Sequence, residues 1–292
     1  HSKMAEEKSD KQCLCVIPAN DGRSFHKDSD GNYWRVPKFV DGGRSHEVPE
    51  NREQAYEAAK AFGDFQAKLV DLPGEPLLDP IPDFHNTRMR FEHFRSTLRK
   101  DELGRASGAE EWIDFAMERE SLSDRIRCDD FPRRVVHNDT KLNNVLLHKS
   151  TGKGMCVVDL DTVMPGCALH DFGDLVRTAA SSAVEDEVDL TKVSFLPKTY
   201  ESIVTGYLEA AGEMLEPKEI ERLPLAPLVI TYELGLRFLT DYLSGDVYFK
   251  IKHPEHNLDR VRSQFKLLSS MEEHYDEMEQ IVTKIACLNV PA

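Results

Sequence analysis

Between Arg133 and Asp161, short apolar runs frame a dense polar cluster, and this segment restricts the fold more than any other part of the chain. It reads RRVVH (133–137), then NDTKL, NNVLLH (143–148), a turn at Ser150-Thr151-Gly152-Lys153-Gly154, and MCVVDLD (155–161). The apolar runs are β-rich and too short for helices, and the turn residues are those of a hairpin. His137, Asp139, Asn143, Asn144, Asp159 and Asp161 are therefore expected to sit rigidly at the ends of short strands, a suitable place to hold reactive groups. Gly152-Lys153-Gly154 lacks the upstream glycine and the following Ser or Thr of a GxxxxGK[ST] phosphate loop, so it reads as turn only.

Around that segment the chain changes character once. His1 to Gln12 reads as the end of a helix. LCVIP (14–18), a turn at Ala19–Gly22, RSFHK (23–27), a turn at Asp28–Gly31 and NYWRVPKFV (32–40) predict a three-stranded antiparallel meander. Asp41-Gly42-Gly43 ends it. Apolar residues at Ala55, Ala58, Ala59, Phe62, Phe65 and Leu69 then follow a helical period, predicting a helix over 51–72. Further helices are expected at 87–103, 108–127, 198–214, 217–244 and 257–286. The fold class is α+β: a small β-rich piece, residues 1–40, ahead of a large helical piece, residues 41–292, that carries the polar hairpin.

With 292 residues and 40% hydrophobic side chains, the chain can bury one large core or two modest ones. A net charge of −15 repels a phosphate backbone and argues against nucleic acid as a partner. No apolar run approaches the roughly 18 residues of a membrane span, and the polar first residues lack a secretory h-region. The six cysteines show no CxxC spacing, so buried thiols in a reducing cytoplasm are expected instead of disulfides or a metal site. Oligomeric state leaves no signature. The acidic run Glu185-Asp186-Glu187 with Asp189 reads as a solvated loop.

Phosphoryl transfer needs a divalent cation on the phosphates, a carboxylate facing the acceptor hydroxyl, and alignment. Mg²⁺ takes oxygen ligands, commonly one or two carboxylates plus phosphates and waters. Asn144 and Asp159 can supply such oxygens from the two arms of the hairpin, and Asp139 can face an acceptor. HxDxxxxN followed by an apolar strand and DxD, then Gly166-x-x-x-x-Asp171, resembles the aminoglycoside and choline phosphotransferase branch of the protein-kinase-like fold. That resemblance implies a two-lobed kinase with ATP as donor and Mg²⁺ as cofactor. Asp139 would be the catalytic base, Asn144 and Asp159 the metal ligands, and His137 the residue that orients the loop. Asp171 would tie the loop down. Asp161 either supports the ligands from behind or is a structural acceptor; Lys141 either reaches a phosphate or lies on the surface.

The wording of HNDTKLNNVL, VVDLDTVMPG, HDFGDLVRT, YELGLRFLTDYLSGDVYFK, HNLDRVRSQFKL, DGNYWRVPKFVDG and PDFHNTRMRFEHF is similar to the N-acetylhexosamine 1-kinases over nearly the whole chain. It implies transfer of the ATP γ-phosphate to the anomeric hydroxyl of N-acetylglucosamine or N-acetylgalactosamine. Glu233, Arg237 and Asp241 recur at i, i+4, i+8 on one helix and Tyr248 follows, so they form a candidate sugar pocket; an ion-pair ladder is the structural alternative. Arg177 is a weaker candidate. By resemblance the nucleotide hinge falls at Phe39, Val40 and Asp41. The family's glycine-rich loop and strand lysine have no counterpart upstream. That implies a truncated fragment or a missing ordered region, and a chain that binds ATP poorly and turns over slowly or not at all. Choline, homoserine or an aminoglycoside as acceptor, and a non-catalytic kinase-like binding module, are the competing expectations.

Overall fold

The structure, a computed structural model, describes residues 13–75 and 77–289. The helix end expected over residues 1–12 lies outside the described residues.

The N-terminal ribbon comprises β1 (Val16–Ile17), β2 (His26–Lys27), β3 (Tyr33–Trp34) and β4 (Val36–Pro37). It is not the expected meander. β2 pairs with β3 and β1 with β4, both antiparallel, so one hairpin is nested within the other pair. The reason lies in the two turns. Residues 19–23 close a local loop on themselves, with the Ala19 N–H donating to the Arg23 carbonyl. At 28–32 the Asp28 carboxylate accepts from the Asp30 and Asn32 amides, the Asn32 side chain and the Trp34 indole. Those donors, the Trp34 indole foremost, hold the exposed carboxyl down at about 2. Only this second turn reverses the chain.

β5 (Gly43–Arg44), β7 (Val145–His148) and β8 (Gly154–Val157) form a three-stranded antiparallel sheet, and β6 (Arg134–Val136) pairs with β9 (Met164–Gly166). The polar segment over 133–161 thus passes through both sheets. Its hairpin register is Val145 opposite Val157, with a shift between Leu146 and Leu147.

The helical part is built on α1 (Arg52–Leu69), α2 (Thr87–Lys100), α3 (Glu110–Glu118), α4 (Ala168–Ala179), α5 (Pro197–Ala211), α6 (Pro217–Arg222), α7 (Ala226–Leu243), α8 (His256–Glu273) and α9 (Tyr275–Asn289). The Asn51 side chain caps α1 by accepting the Gln54 N–H, and Ala55, Ala58, Ala59 and Phe62 form its buried stripe. The helix expected at 108–127 is α3 followed by 3₁₀ turns. The one expected at 217–244 breaks into α6 and α7 around Pro224, which has no N–H for the ladder. The one expected at 257–286 breaks at His274, whose amide bonds to the Met271 carbonyl and whose ring bonds to the Ser270 carbonyl. Helix α4 was not expected. Its polar residues Asp171, Asp174 and Arg177 are buried, so no solvent face marks it.

One large core joins the helices around Phe62, Phe91, Phe94, Phe172, Tyr207 and Phe265. A separate small cluster joins Val40 to Met155 and Cys156, with Leu14, Leu146 and Val158 against it. Among the described residues no helix is long and apolar enough to cross a membrane. The architecture is mixed α/β, with small sheets in the N-terminal region and a large helical C-terminal part.

Candidate active site

The loop that follows β6 is held from several sides. His137 is fully buried between the rings of Phe62 and Phe65. Its Nε2 faces the Val158 carbonyl at 2.8 Å, so that nitrogen carries the proton; Nδ1 then accepts the Asp139 N–H at 3.3 Å. Asn138 is in the left-handed region at φ 64°, which a non-glycine residue keeps only when its surroundings impose it. The Asp171 carboxylate, at the start of α4, accepts the His137 N–H at 2.8 Å and the Asn138 N–H at 2.7 Å. Gln66 of α1 donates to the same carboxylate at 2.6 Å, and the Thr140 hydroxyl to the Asp171 carbonyl. The Asn138 side chain donates to the Thr162 carbonyl, and Thr162 donates back to the His137 carbonyl at 2.7 Å. Gly166 makes room for this weave: a Cβ there would lie 2.5 Å from Val136 and 3.1 Å from Asn138 Oδ1.

Asp139 itself is half-buried. Its carboxylate accepts from Asn144 Nδ2 at 3.0 Å and faces Lys141 Nζ at 3.2 Å, and Asn144 Nδ2 also donates to the Asp139 carbonyl. Burial pushes the Asp139 carboxyl up, with the nearby Asp174 charge adding to it and Lys141 opposing. Lys141 is not free surface. Burial opposes its charge, but the carboxylates of Asp139, Asp174 and Glu185 outweigh that and raise its ammonium. The Asn144 carbonyl accepts the Val158 N–H at 2.9 Å, which registers the end of β8, and so Asp159, beside Asn144. Asp159 is left-handed at φ 58°.

The oxygens of Asn144 and Asp159 are hard donors of the kind Mg²⁺ takes, and Asn144 turns its amide nitrogen to Asp139. Among the described residues no three His, Cys, Asp or Glu side chains group to hold a metal unaided. Two protein ligands completed by phosphates and water fit that donor set. Asp161 is turned elsewhere: it is exposed and forms an ion pair with Arg35 of the ribbon. Val40 is buried in the small cluster beside β8, while Phe39 is 81% exposed and Asp41 bonds its own loop through the Gly42 N–H.

Of the residues read as a sugar pocket, Arg237, Asp241 and Tyr248 line one cavity and Glu233 stands apart. Glu233 is fully buried and binds His85 at 2.8 Å and the Thr87 hydroxyl at 2.6 Å, so it lines no pocket. The Asp241 carboxylate accepts the backbone N–H groups of Val247, Tyr248 and Phe249 and the Asn257 side chain, which fixes the loop after α7. Neither pairs with Arg237, so the ion-pair ladder does not form either. Arg237 is the residue of α7 that is not fully buried. Its guanidinium lies 5.3, 5.9 and 5.5 Å from the rings of Phe84, Tyr248 and Phe249. Arg90, His93, Arg237, Asp241, Tyr248 and Phe249 are among the residues that line a cavity of about 240 Å³. A larger one, about 390 Å³, is lined by Phe84, His85, Asn138, Gly166 and His170 among others. Asp139 lies outside both linings but is one residue from Asn138.

Arg177 is buried and clamped by Asp174, Glu185 and Gln264. Glu185 is thus no solvated acid. Its neighbour Asp186 bonds Lys252 and His256, and those donors, Lys252 foremost, hold its carboxyl at about 2. Sequence reasoning missed His85, Gln66 and Asp174. His85 did lie within the PDFHNTRMRF stretch singled out for its resemblance, so a signal existed, although its partners 53 and 148 residues away did not show.

The profile of the phosphotransferase enzyme family APH matches residues 17–203. Among solved structures the chain is similar to a choline/ethanolamine kinase family protein from Mesorhizobium loti, with 15% identity over 93% of this chain and 79% of that one and a TM-score of 0.56. It is also similar to a microcompartment-associated aminopropanol kinase (17% identity, 93% and 78% covered, TM-score 0.53). An aminoglycoside phosphotransferase from Alicyclobacillus acidocaldarius matches at 13% identity, with 99% and 81% covered and a TM-score of 0.51. With more than half its length matched by the family profile, and with the motif residues drawn together as described, the chain belongs to the APH phosphotransferase enzyme family.

Proposed function

We propose that this phosphotransferase moves the γ-phosphate of ATP to the anomeric hydroxyl of an N-acetylhexosamine. The observation that carries the acceptor reading is the double cation at the pocket after α7. Arg90 and Arg237 both line it, and burial together with the Arg237 charge holds the Arg90 guanidinium below its ordinary range. Asp241 also lines the pocket, but its oxygens are taken up by the amides of 247–249 and by Asn257, so a cationic acceptor such as choline or an aminoglycoside would meet two like charges whose nearby carboxylate is already engaged. A neutral sugar meets two hydrogen-bonding forks and the rings of Tyr248 and Phe249, the surface that suits hydroxyls, an acetamido carbonyl and an apolar ring face.

In this reading Asp139 accepts the proton of the anomeric hydroxyl. Its raised carboxyl makes it a better base at neutral pH than an ordinary aspartate, and Asn144 orients its second oxygen. His137 acts on the loop, not on substrate. Lys141 balances the charge at Asp139 and, in this reading, meets a phosphate oxygen. Asn144 and Asp159 would hold Mg²⁺, which when bound neutralises phosphate charge. Val40 and the cluster under it offer the apolar side of a nucleotide site, with Phe39 and Asp41 at its edge. We place the lobe division at residue 40, and the reaction in a reducing cytoplasm, in keeping with Cys128, Cys156, Cys167 and Cys287 being thiols.

The test is a panel of N-acetylglucosamine, N-acetylgalactosamine, choline, homoserine and an aminoglycoside, each with ATP and Mg²⁺. Turnover of the amino sugars alone is expected. Turnover of choline without the sugars would discard the acceptor; no nucleotide-induced thermal shift at all would favour a non-catalytic module.

A further inference from the structure

The same buried pair that takes Glu233 out of the sugar pocket grips the catalytic loop. The peptide between Asn138 and Asp139 is held at both ends: its N–H by His137 Nδ1 at 3.3 Å, and its carbonyl by His85 Nε2 at 2.9 Å. The other nitrogen of His85 meets Glu233 Oε1 at 2.8 Å. Both ring nitrogens therefore face oxygen acceptors. A neutral imidazole has one N–H and would set a lone pair against an oxygen on one side; the imidazolium satisfies both. Glu233 has its second oxygen occupied by the Thr87 hydroxyl at 2.6 Å, as an ionised carboxylate accepts it. Both side chains are nearly inaccessible to water, at 5% and 0% exposure. Phe84, next to His85 in sequence, meets its ring edge to face at 4.7 Å and carries Arg237 on its own ring.

We propose that His85 and Glu233 are positioning residues for phosphoryl transfer: a buried imidazolium–carboxylate pair that holds the Asn138–Asp139 peptide, and hence the Asp139 carboxylate, toward the acceptor presented by Arg237 and Phe84. This rests on Asp139 being the base. A peptide in the left-handed conformation at Asn138 needs such restraint, because relaxing it would rotate the next side chain. The groups facing His85 are Glu233 from α7, His170 (rings 5.1 Å apart) and Asp174 from α4, and Cys128. Burial disfavours the charged ring, but Glu233, foremost among the partners, and Asp174 outweigh it and raise its titration. Glu233 is itself held down at about 2, with burial opposing and His85 the main opposite charge.

The experiment has two arms on the full chain. In the first, ¹⁵N-detected histidine side chains are titrated in the wild type, E233Q and the milder T87V, with H85Q assigning the resonance. His85 is expected to be doubly protonated at neutral pH. E233Q should lower its titration by about one pH unit or more and T87V by less, and exchange at the Asp139 amide should quicken in H85Q. In the second, transfer kinetics are followed against pH. H85Q and E233Q should lower kcat about tenfold or more with acceptor KM little changed, and the alkaline limb of kcat should move to lower pH in E233Q. A ring neutral at pH 7, unaltered amide exchange, or variants that lose thermal stability while kcat and its alkaline limb stay put would each overturn the proposal. If the wild type transfers phosphate to no sugar, the acceptor reading fails, while the titration and exchange arm still decides for or against the grip.

Discussion

Replacing Asp171 with Asn tests how much the catalytic loop depends on its anchor. Oδ2 accepts from His137 N and Gln66 Nε2, and Oδ1 from Asn138 N. An amide can present only one oxygen. Its least costly orientation keeps the two bonds at Oδ2 and turns its NH₂ toward the Asn138 N–H, leaving that buried donor without an acceptor. Such a donor costs about 1–3 kcal/mol, and the two surviving bonds lose charge assistance worth about 1 kcal/mol each. Release from burying a carboxylate returns part of this, so the net loss is about 2–4 kcal/mol. Gln66 cannot flip to compensate, because its Oε1 already accepts the Tyr207 hydroxyl at 2.6 Å. For a chain of this size about 2 °C is lost per kcal/mol, giving a drop of about 4–8 °C in Tm by calorimetry. Because the orphaned amide belongs to Asn138, kcat should fall in the same variant while nucleotide affinity by titration calorimetry does not. A variant within about 1 °C of wild type with unaltered kcat would refute the anchoring role.

Asp139→Asn is expected to abolish transfer, by about 10²–10⁴-fold or more, while ADP and Mg²⁺ still raise Tm; residual turnover above a few per cent would contradict its role as base. Arg237→Ala should raise acceptor KM by about tenfold or more with a small change in Tm, since the side chain stacks on rings at the pocket and makes no ion pair among the described residues. Arg237→Lys, which keeps the charge but loses the planar fork, should recover little of it. The stability difference between wild type and E233Q should depend on pH in a defined window. Glu233 is depressed, so its contribution is present above its unfolded value of about 4.5 and is lost as pH falls toward 2; His85 is raised, so its contribution is complete below about 6.5 and is lost as pH climbs through its folded value. Urea unfolding at pH 3, 5.5 and 9 should therefore give the largest difference at the middle value. Gly235→Ala should destabilise by about 1–3 kcal/mol or more, because a Cβ would stand 2.1 Å from the Phe265 ring.

The polar segment over 133–161 was legible as a structural unit because its strands and turn lie within one local stretch of chain. β6, β7 and β8 bring His137, Asp139, Asn144 and Asp159 together within that stretch, while Gln66, His85 and Asp171 fix the loop from outside it. Features set by distant partners were not legible. The nested ribbon depends on the Trp34 indole reaching Asp28, which turn chemistry alone does not reveal. α4 carries its charges inward, against the rule that a helix turns polar residues to water. On α7 the i, i+4, i+8 spacing was a poor guide for Glu233. Each step of four residues adds about 40°, so Glu233 and Asp241 diverge by about 80° and meet different neighbours. Glu233 goes to His85, while Asp241 binds the loop at 247–249 and shares the lining of the aromatic pocket with Arg237.

The central claim is that Asp139 takes the proton of an amino sugar's anomeric hydroxyl as that oxygen receives the γ-phosphate of ATP. ³¹P NMR of the full chain with ATP, Mg²⁺ and N-acetylglucosamine tests it most directly, with Asp139→Asn run alongside. The expected result is a phosphomonoester coupled to the anomeric proton, formed with the wild type and absent with the variant. Phosphate on any other hydroxyl, or equal product from Asp139→Asn, would contradict it.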